Sequence, residues 1–208
     1  MSIAHRITLT LLIALLALVG IGGYGIWAIG AAQDRFEFLQ SNVTPSIKLL
    51  IDARSAVSNT RVQVRNHLIV SSPADKEKLK QSIAELKAKF DKKTAEYEPL
   101  VMSPEDKRLL EQEKANMKLF EQRVDALLAK SYANDTEGAR ALLMSDDFNA
   151  TAKALTKGLN DHIDYNFQLG EQLRKENAAS YQRAKWTLIS AVIVLLLIVA
   201  GRATSWRP

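Results

Sequence analysis

The 208-residue sequence contains no cysteine, which excludes disulfide bonds, thiolate metal sites and thiol nucleophiles. Histidine is scarce, with three residues, and no Cys-x-x-Cys-His, His-Glu-x-x-His or Glu-x-x-His spacing occurs. No stretch alternates polar and apolar residues with a period of two, so nothing indicates a half-buried β-sheet. Stability must therefore come from packing, and we expect no metal, haem or other cofactor.

Catalytic motifs are missing as well. The sequence has no nucleophile elbow and no phosphate-binding loop, and the paired acids Asp146 and Asp147 fit a helix N-terminus. Gly20, Gly22 and Gly25 match Gly-x-Gly-x-x-Gly, but they lie in an apolar run that is too long for a strand. Close packing of membrane helices explains these glycines better. The sequence predicts that the chain is not an enzyme.

Two long runs contain no charged residue, and they lie at opposite ends of the chain. Residues 7–32 form a run of 26 residues, and residues 186–201 form a run of 16. A helix of about 20 apolar residues crosses a bilayer, and the lysine, tryptophan and arginine flanking the shorter run can reach the interface. We therefore predict two transmembrane helices. A cleaved signal peptide is the competing interpretation of the first run.

The charges of the two short tails predict the orientation. Residues 1–6 and residues 202–208 contain basic side chains and no acidic one. Because short basic tails remain on the cytoplasmic side, both termini are expected in the cytoplasm of a bacterium. The chain would then cross the inner membrane twice, with the long segment of residues 33–185 in the periplasm.

The charge of this long segment is almost balanced. The chain has 28 basic and 23 acidic residues, and removal of Arg6, Arg202 and Arg207 leaves 25 basic against 23 acidic ones. That balance gives no electrostatic reason to expect a nucleic-acid partner.

Apolar residues of the long segment recur every three or four positions, which indicates amphipathic helices. The predicted seams are Leu79, Ile83, Leu86, Phe90 and Tyr97; Leu110, Met117, Phe120, Val124 and Leu127; and Phe148, Ala152, Leu155, Leu159, His162, Asn166, Leu169 and Leu173. Such heptad regularity is typical of helix bundles. His162 and Asn166 are expected to form a polar step that sets the register. A metal or haem held by His67 and His162 is the less favoured interpretation.

Capping and helix-breaking residues divide the segment into helices. The predicted boundaries are Ser71, Ser72 and Pro73; Pro99; Ser103 and Pro104; Asn134 and Asp135, which begin a short helix to Met144; and Ser145, Asp146 and Asp147. Pro45 should bend or interrupt the first helix. The sequence therefore predicts an all-α fold, an elongated antiparallel up-down-up-down four-helix bundle whose first and last helices continue into the membrane.

This organisation resembles the sensory module of methyl-accepting chemotaxis receptors. The resemblance is carried by Pro45, by the stretch NTRVQVRNHL from Asn59 to Leu68, and by Asn166 ahead of ENAASYQRAKW. It implies a homodimer that binds a small ligand in the periplasm and shifts a helix across the membrane for chemotaxis signalling. The same module also fronts histidine kinases and cyclic-dinucleotide enzymes. The family's cytoplasmic signalling part is absent after Gly201, which predicts a truncated form or a natural stub.

The resemblance also implies where a ligand binds. In that family, arginines of the first helix and polar groups of the last hold amino acids or organic acids. Helix pairing with residue numbers that sum to about 218 carries these roles onto six residues, Ser58, Arg61, Arg65, Asn149, Thr151 and Thr156, with Lys153 and Lys157 opposite the arginines. Two guanidinium groups can hold a carboxylate through bidentate hydrogen bonds.

Two alternatives remain open at this stage. The charged residues can form only a solvated helix face, in which case the positions above bind nothing. The whole chain can also be a structural two-pass bundle that scaffolds other membrane proteins without a ligand. Either alternative leaves the predicted fold unchanged.

Overall fold

Six α-helices occupy most of residues 3–204, the part of the chain that the computed structural model describes. In chain order they are α1 (Ile3–Phe38), α2 (Thr44–Ile69), α3 (Pro73–Tyr97), α4 (Pro104–Tyr132), α5 (Thr136–Met144) and α6 (Asp146–Thr204). No β-strand occurs within these residues, and α2, α3, α4 and α6 supply the bundle. The predicted all-α four-helix bundle is confirmed.

The capping residues act as predicted. Ser72 Oγ accepts from the Asp75 amide at 3.4 Å, and Ser103 Oγ accepts from the Asp106 amide at 3.1 Å. Each serine precedes a proline at the first helical position, where a missing N–H costs no hydrogen bond. Asp135 and Ser145 cap α5 and α6 through the amides of Gly138 and Phe148. Local side-chain chemistry thus sets all four of these helix starts.

A π-helical segment, Leu39–Val43, comes directly before α2. Pro45 lacks an N–H and its ring crowds the carbonyl four residues earlier, so a regular α-helix cannot continue through this point. The interruption predicted for Pro45 is therefore confirmed. Asn42 is buried and donates from Nδ2 to the carbonyl of Leu100, at 2.9 Å.

The core of the bundle follows the heptad seams predicted for α3, α4 and α6, and α2 adds a fourth stripe. Its buried members include Leu50, Val57 and Val64 of α2; Ile83, Phe90 and Tyr97 of α3; Met117, Phe120, Val124 and Leu127 of α4; and Phe148, Leu155 and Leu159 of α6. All four helices contribute one stripe each, as bundle packing requires. Buried polar side chains interrupt these stripes, among them Asp106 and Glu113 in α4 and His162 and Asn166 in α6.

The chain divides into two compact units. Ser41–Leu169 form one unit, and the residues up to Gln40 together with those from Gly170 form the other. Within the unit that combines the two ends of the chain, Arg35 donates to Asn177 Oδ1 and to Ser180 Oγ, both at 3.3 Å. Among the residues that the structure describes, two helices are long and apolar enough to cross a membrane, with a mean hydropathy of 2.2 in the most apolar part of each.

Candidate ligand-binding site

A groove of about 450 Å³ lies between α2 and α6. Its lining consists of Arg61 from α2 and of Asn149, Lys153, Thr156, Lys157 and Asn160 from α6. The α6 residues recur in steps of three and four, so they share one face of the helix. The groove therefore combines cationic side chains with amides and a hydroxyl, which suits a small polar anion.

The two helices that form the groove run antiparallel, as the sequence predicts. Arg54 Nη1 donates to Asn160 Oδ1 at 2.8 Å, and these residue numbers sum to 214. Arg61, further along α2, meets earlier residues of α6. The pairing is within about one helical turn of the expected sum of 218.

Arg61 is the central cation of the groove. The residue is half-buried, and its Nε is a buried donor without a hydrogen-bond partner. A buried N–H that lacks an acceptor costs about 1–3 kcal/mol. Within residues 3–204, Lys153 belongs to no ion pair, whereas Lys157 pairs with Asp161. The groove thus carries positive charge that an anionic ligand would neutralise.

The hydroxyl and amide groups of α6 are engaged with their own helix. Thr156 Oγ1 donates to the carbonyl of Ala152 at 2.8 Å, and Asn149 Nδ2 donates to the carbonyl of Ser145 at 3.0 Å. A carboxylate accepts hydrogen bonds and cannot donate. Its recognition would therefore depend on the arginine and lysines more than on these groups.

The structure brings three of the six predicted site residues together. Arg61, Asn149 and Thr156 line the groove. Ser58 and Arg65 are exposed on α2 outside the lining, and Thr151 is half-buried and donates to the carbonyl of Asp147. Arg65 therefore does not join Arg61 in this groove.

Sequence reasoning missed two polar residues at this site. Asn160 lines the groove and holds Arg54 in place. Asn160 lies four residues after Thr156, so the helical repeat that selected Thr156 also points to it. Arg54 lies seven residues before Arg61, two helical turns away on nearly the same face, which was the available signal for that residue.

The polar step predicted in the α6 seam is present. His162 and Asn166 are both buried, and Asn166 Nδ2 donates to Tyr97 Oη at 2.9 Å. His67, the other histidine considered, is buried with Nδ1 3.1 Å from Ser131 Oγ. Among the described residues, no set of three histidine, aspartate or glutamate side chains has metal-binding geometry.

Comparison with known families identifies the architecture. The family described as the four helix bundle sensory module for signal transduction matches residues 1–181. A comparison with curated proteins found no match. The family match covers the whole bundle and the first apolar run.

Proposed function

The chain belongs to the family of four-helix-bundle sensory modules for signal transduction, and from that premise we propose that it is the sensory part of a membrane chemoreceptor. Its ligand is an organic acid or an amino acid, bound through a carboxylate in the groove between α2 and α6. Binding shifts the position of α6 and so carries the signal across the membrane. The family is a signalling module, not a catalytic domain.

One observation carries the ligand assignment. Arg61 Nε is buried, charged and without an acceptor, in a groove whose other cationic groups are lysines. A carboxylate in the groove supplies the compensating charge, and an arginine fork can bind it through two parallel hydrogen bonds. The buried Nε gains its acceptor when the Arg61 side chain turns toward the ligand. The volume of about 450 Å³ is sufficient for a ligand of that size.

The binding test uses the full chain in detergent, titrated calorimetrically with a panel of dicarboxylic acids and amino acids. We expect at least one acid to bind, and Arg61→Ala to weaken its binding roughly tenfold to hundredfold, because a charge-assisted hydrogen bond is lost. Lys153→Ala should weaken binding less. Lys118→Ala, at an exposed position on α4, is the control and should leave affinity unchanged.

Two outcomes would contradict this assignment. If Arg61→Ala binds the acid as tightly as the wild type, the ligand lies elsewhere. If Arg65→Ala abolishes binding and Arg61→Ala does not, the exposed face of α2 is the site. Silence across the whole panel favours the ligand-free scaffold.

A homodimer is part of the proposal, and α2 supplies its support. One face of this helix carries exposed residues in steps of four and three: Ile51, Ser55, Ser58, Val62, Arg65 and Ile69. Ile51 is 39%, Val62 46% and Ile69 77% exposed. Apolar side chains at heptad spacing pair with the same stripe on a second copy. Ser58 and Arg65 would then lie at the interface between subunits.

The absence of native cysteine makes the dimer and the topology directly testable. Ser58→Cys should form an intermolecular disulfide on mild oxidation, whereas Lys118→Cys, on α4, should not. For orientation, a membrane-impermeant maleimide should label Ser71→Cys in cells with a permeabilised outer membrane and should not label Ser2→Cys. Cross-linking of both positions equally, or labelling of the Ser2 variant alone, would refute these two parts of the proposal.

A further inference from the structure

Ionisable side chains from three helices meet in the core of the bundle, beside the turn that joins α3 to α4. Tyr97 of α3, Asp106 and Glu113 of α4, and His162 of α6 are each at most 2% exposed. Burial of charged groups is costly unless every group is paired and hydrogen-bonded. The charge state of this histidine cluster, defined as Asp106, Glu113 and His162, therefore decides how well the core packs.

His162 lies between the two carboxyl groups. Its Nε2 is 2.6 Å from Asp106 Oδ1, and its Nδ1 is 3.0 Å from Glu113 Oε1. A neutral imidazole carries one N–H, whereas the imidazolium carries two. Burial lowers the pKa of His162, but the hydrogen bonds to Asp106 and Glu113 outweigh it and raise the pKa to about 9. The imidazolium is therefore the form present near neutral pH.

The carboxyl group of Asp106 is fully hydrogen-bonded. Besides His162, it accepts from Tyr97 Oη at 2.6 Å and from the Met102 amide at 2.9 Å. Burial raises the pKa of Asp106, but these three donors outweigh burial and hold the pKa below its usual value. Asp106 thus remains the permanent counterion of the imidazolium.

The carboxyl group of Glu113 is held much less well. Oε1 has His162 as its partner, and Oε2 is buried without any partner. Burial raises the pKa of Glu113 more than the hydrogen bond from His162 lowers it, so the pKa lies above its usual value. With all three groups ionised the cluster has a net charge of −1. One proton on Glu113 brings that net charge to zero.

The other groups around His162 do not compete for this proton. Burial and the hydrogen bond to Asp106 raise the pKa of Tyr97, so the phenol stays neutral. The centroid of the Tyr165 ring lies 6.4 Å from that of the imidazole. Glu105 is exposed; its hydrogen bond with Arg108 lowers its pKa, and the charge of His162 contributes in the same direction.

On α2 the side chains of Ser46, Leu50 and Ala53 are buried and uncharged. The charged residues of that stretch have other partners: half-buried Arg54 donates to Asn160 Oδ1 at 2.8 Å, and half-buried Asp52 interacts with Lys93 of α3.

Gly158 of α6 lies against Glu113 of α4. This half-buried glycine has no side chain, and a Cβ built on it would lie in van der Waals contact, 3.9 Å from Glu113 Cγ and 3.9 Å from Asn116 Nδ2. The backbone of α6 therefore packs close to the Glu113 side chain, so a change in the charge of Glu113 acts at the contact between the two helices.

We propose that Asp106, Glu113 and His162 form a proton-binding site in the bundle core, with Glu113 as the group that takes up and releases the proton. Release leaves a carboxylate with one unpaired oxygen between α4 and α6, which weakens the packing of those two helices. The pH around the bundle is then a second input to the sensor. It acts through residues other than those of the groove and does not depend on the proposed carboxylate ligand.

Infrared difference spectroscopy of the full chain tests the proposal, in a maltoside detergent that has no carbonyl group. We expect the C=O stretching band of a protonated carboxyl group to persist above the ordinary titration range of glutamate and to disappear as the pH is raised further. The band should be absent in Glu113→Gln and intact in Glu111→Gln, an exposed neighbour on α4. If Glu113→Gln does not fold, Glu113→Leu should show the same loss of the band.

The proposal is overturned if the wild type shows no such band, or if the band persists in the folded Glu113 variant. Thermal unfolding provides the second measurement. Because the folded-state pKa of Glu113 is raised, its contribution to stability is present at low pH and is lost as the pH rises through that pKa. The wild-type midpoint should therefore fall more steeply with pH than that of Glu113→Gln, and equal slopes would contradict the proposal.

Discussion

Two histidines are buried at different places in the same bundle, and their protonation differs. His162 is 0% exposed and lies between two carboxyl groups, whereas His67 is also 0% exposed and bonds only the Ser131 hydroxyl through Nδ1. The Nε2 atom of His67 has no partner. Burial, with the nearby charge of Lys76, lowers the pKa of His67, while that of His162 is raised to about 9.

Burial by itself therefore does not decide the charge of an imidazole. Burial opposes the charged form at both sites. Carboxylates reverse that effect at His162, whereas the positive charge of Lys76 reinforces it at His67. Lys76 is positioned there by donating from Nζ to Ser131 O at 3.1 Å and to Ser131 Oγ at 3.2 Å. One bundle therefore holds a cationic and a neutral histidine with distinct structural roles.

The same substitution at the two histidines should separate these roles, and the larger effect is expected at His162. His162→Leu leaves Asp106 and Glu113 buried without their cation, and loss of one partner of a buried ion pair costs ~3–5 kcal/mol. Thermal unfolding of the full chain in detergent, followed by circular dichroism, measures the loss. If His162→Leu loses no more stability than His67→Leu, the two histidines do not differ in charge as proposed.

Alkaline pH should reproduce part of that loss in the wild type. The folded-state pKa of His162 is about 9 against an ordinary value of 6.5, so its contribution is fully present below about pH 6.5 and disappears as the pH rises through 9. The difference corresponds to ~3 kcal/mol. Unfolding midpoints measured through about pH 9 should decline more in the wild type than in His162→Leu, and parallel declines would argue against a buried imidazolium.

His67→Leu should cost less, ~1 kcal/mol, because it removes one neutral hydrogen bond and Ser131 keeps its contact with Lys76. Its pH dependence has the opposite sign. Since the folded-state pKa of His67 is lowered, the unfolded chain binds the proton more readily, and stability falls as the pH drops below 6.5. His67→Leu should reduce this loss of stability at acidic pH, measured by the same unfolding midpoints. An unchanged loss would refute the conclusion that His67 is buried in its neutral form.

The smallest effects are expected at the two serine caps. Ser103 Oγ lies 2.8 Å from Tyr165 Oη and also caps α4 beside the histidine cluster, whereas the exposed Ser72 caps α3 alone. Ser103→Ala should cost ~1 kcal/mol and Ser72→Ala ~0.5 kcal/mol. Chemical denaturation of both variants under the same conditions measures the two losses in free energy of unfolding. A larger loss for Ser72→Ala than for Ser103→Ala would contradict this prediction.

The helices and their core were predictable because helix packing leaves a period in the sequence. Apolar residues such as Phe90, Phe120 and Leu155 occur at the predicted seam positions and are buried. The histidine cluster escaped prediction because the seam of α4 was read from apolar residues alone. Asp106 and Glu113 fit its steps of four and three, at Asp106, Leu110, Glu113, Met117, Phe120, Val124, Leu127 and Ser131, so a charged residue in phase with a seam was the available signal.

The candidate site was predictable only in part. Arg61, Asn149 and Thr156 follow from helix pairing, which constrains which faces meet. The pairing does not fix the rotation of α2 closely enough to separate Arg61 from Arg65, four residues later on the same face. Hydrogen bonds between helices, such as that from Arg54 to Asn160, depend on rotamers that no sequence period encodes.

Gly158 lowers the stability of α6 at the point where the helix packs against Glu113. Alanine would fit there, since its Cβ would lie in ordinary van der Waals contact, 3.9 Å from Glu113 Cγ and from Asn116 Nδ2, and would stabilise α6 by ~1 kcal/mol. We expect Gly158→Ala to raise the unfolding midpoint of the chain without changing how that midpoint depends on pH, so the glycine keeps this stretch of α6 easier to deform beside a group that changes its charge.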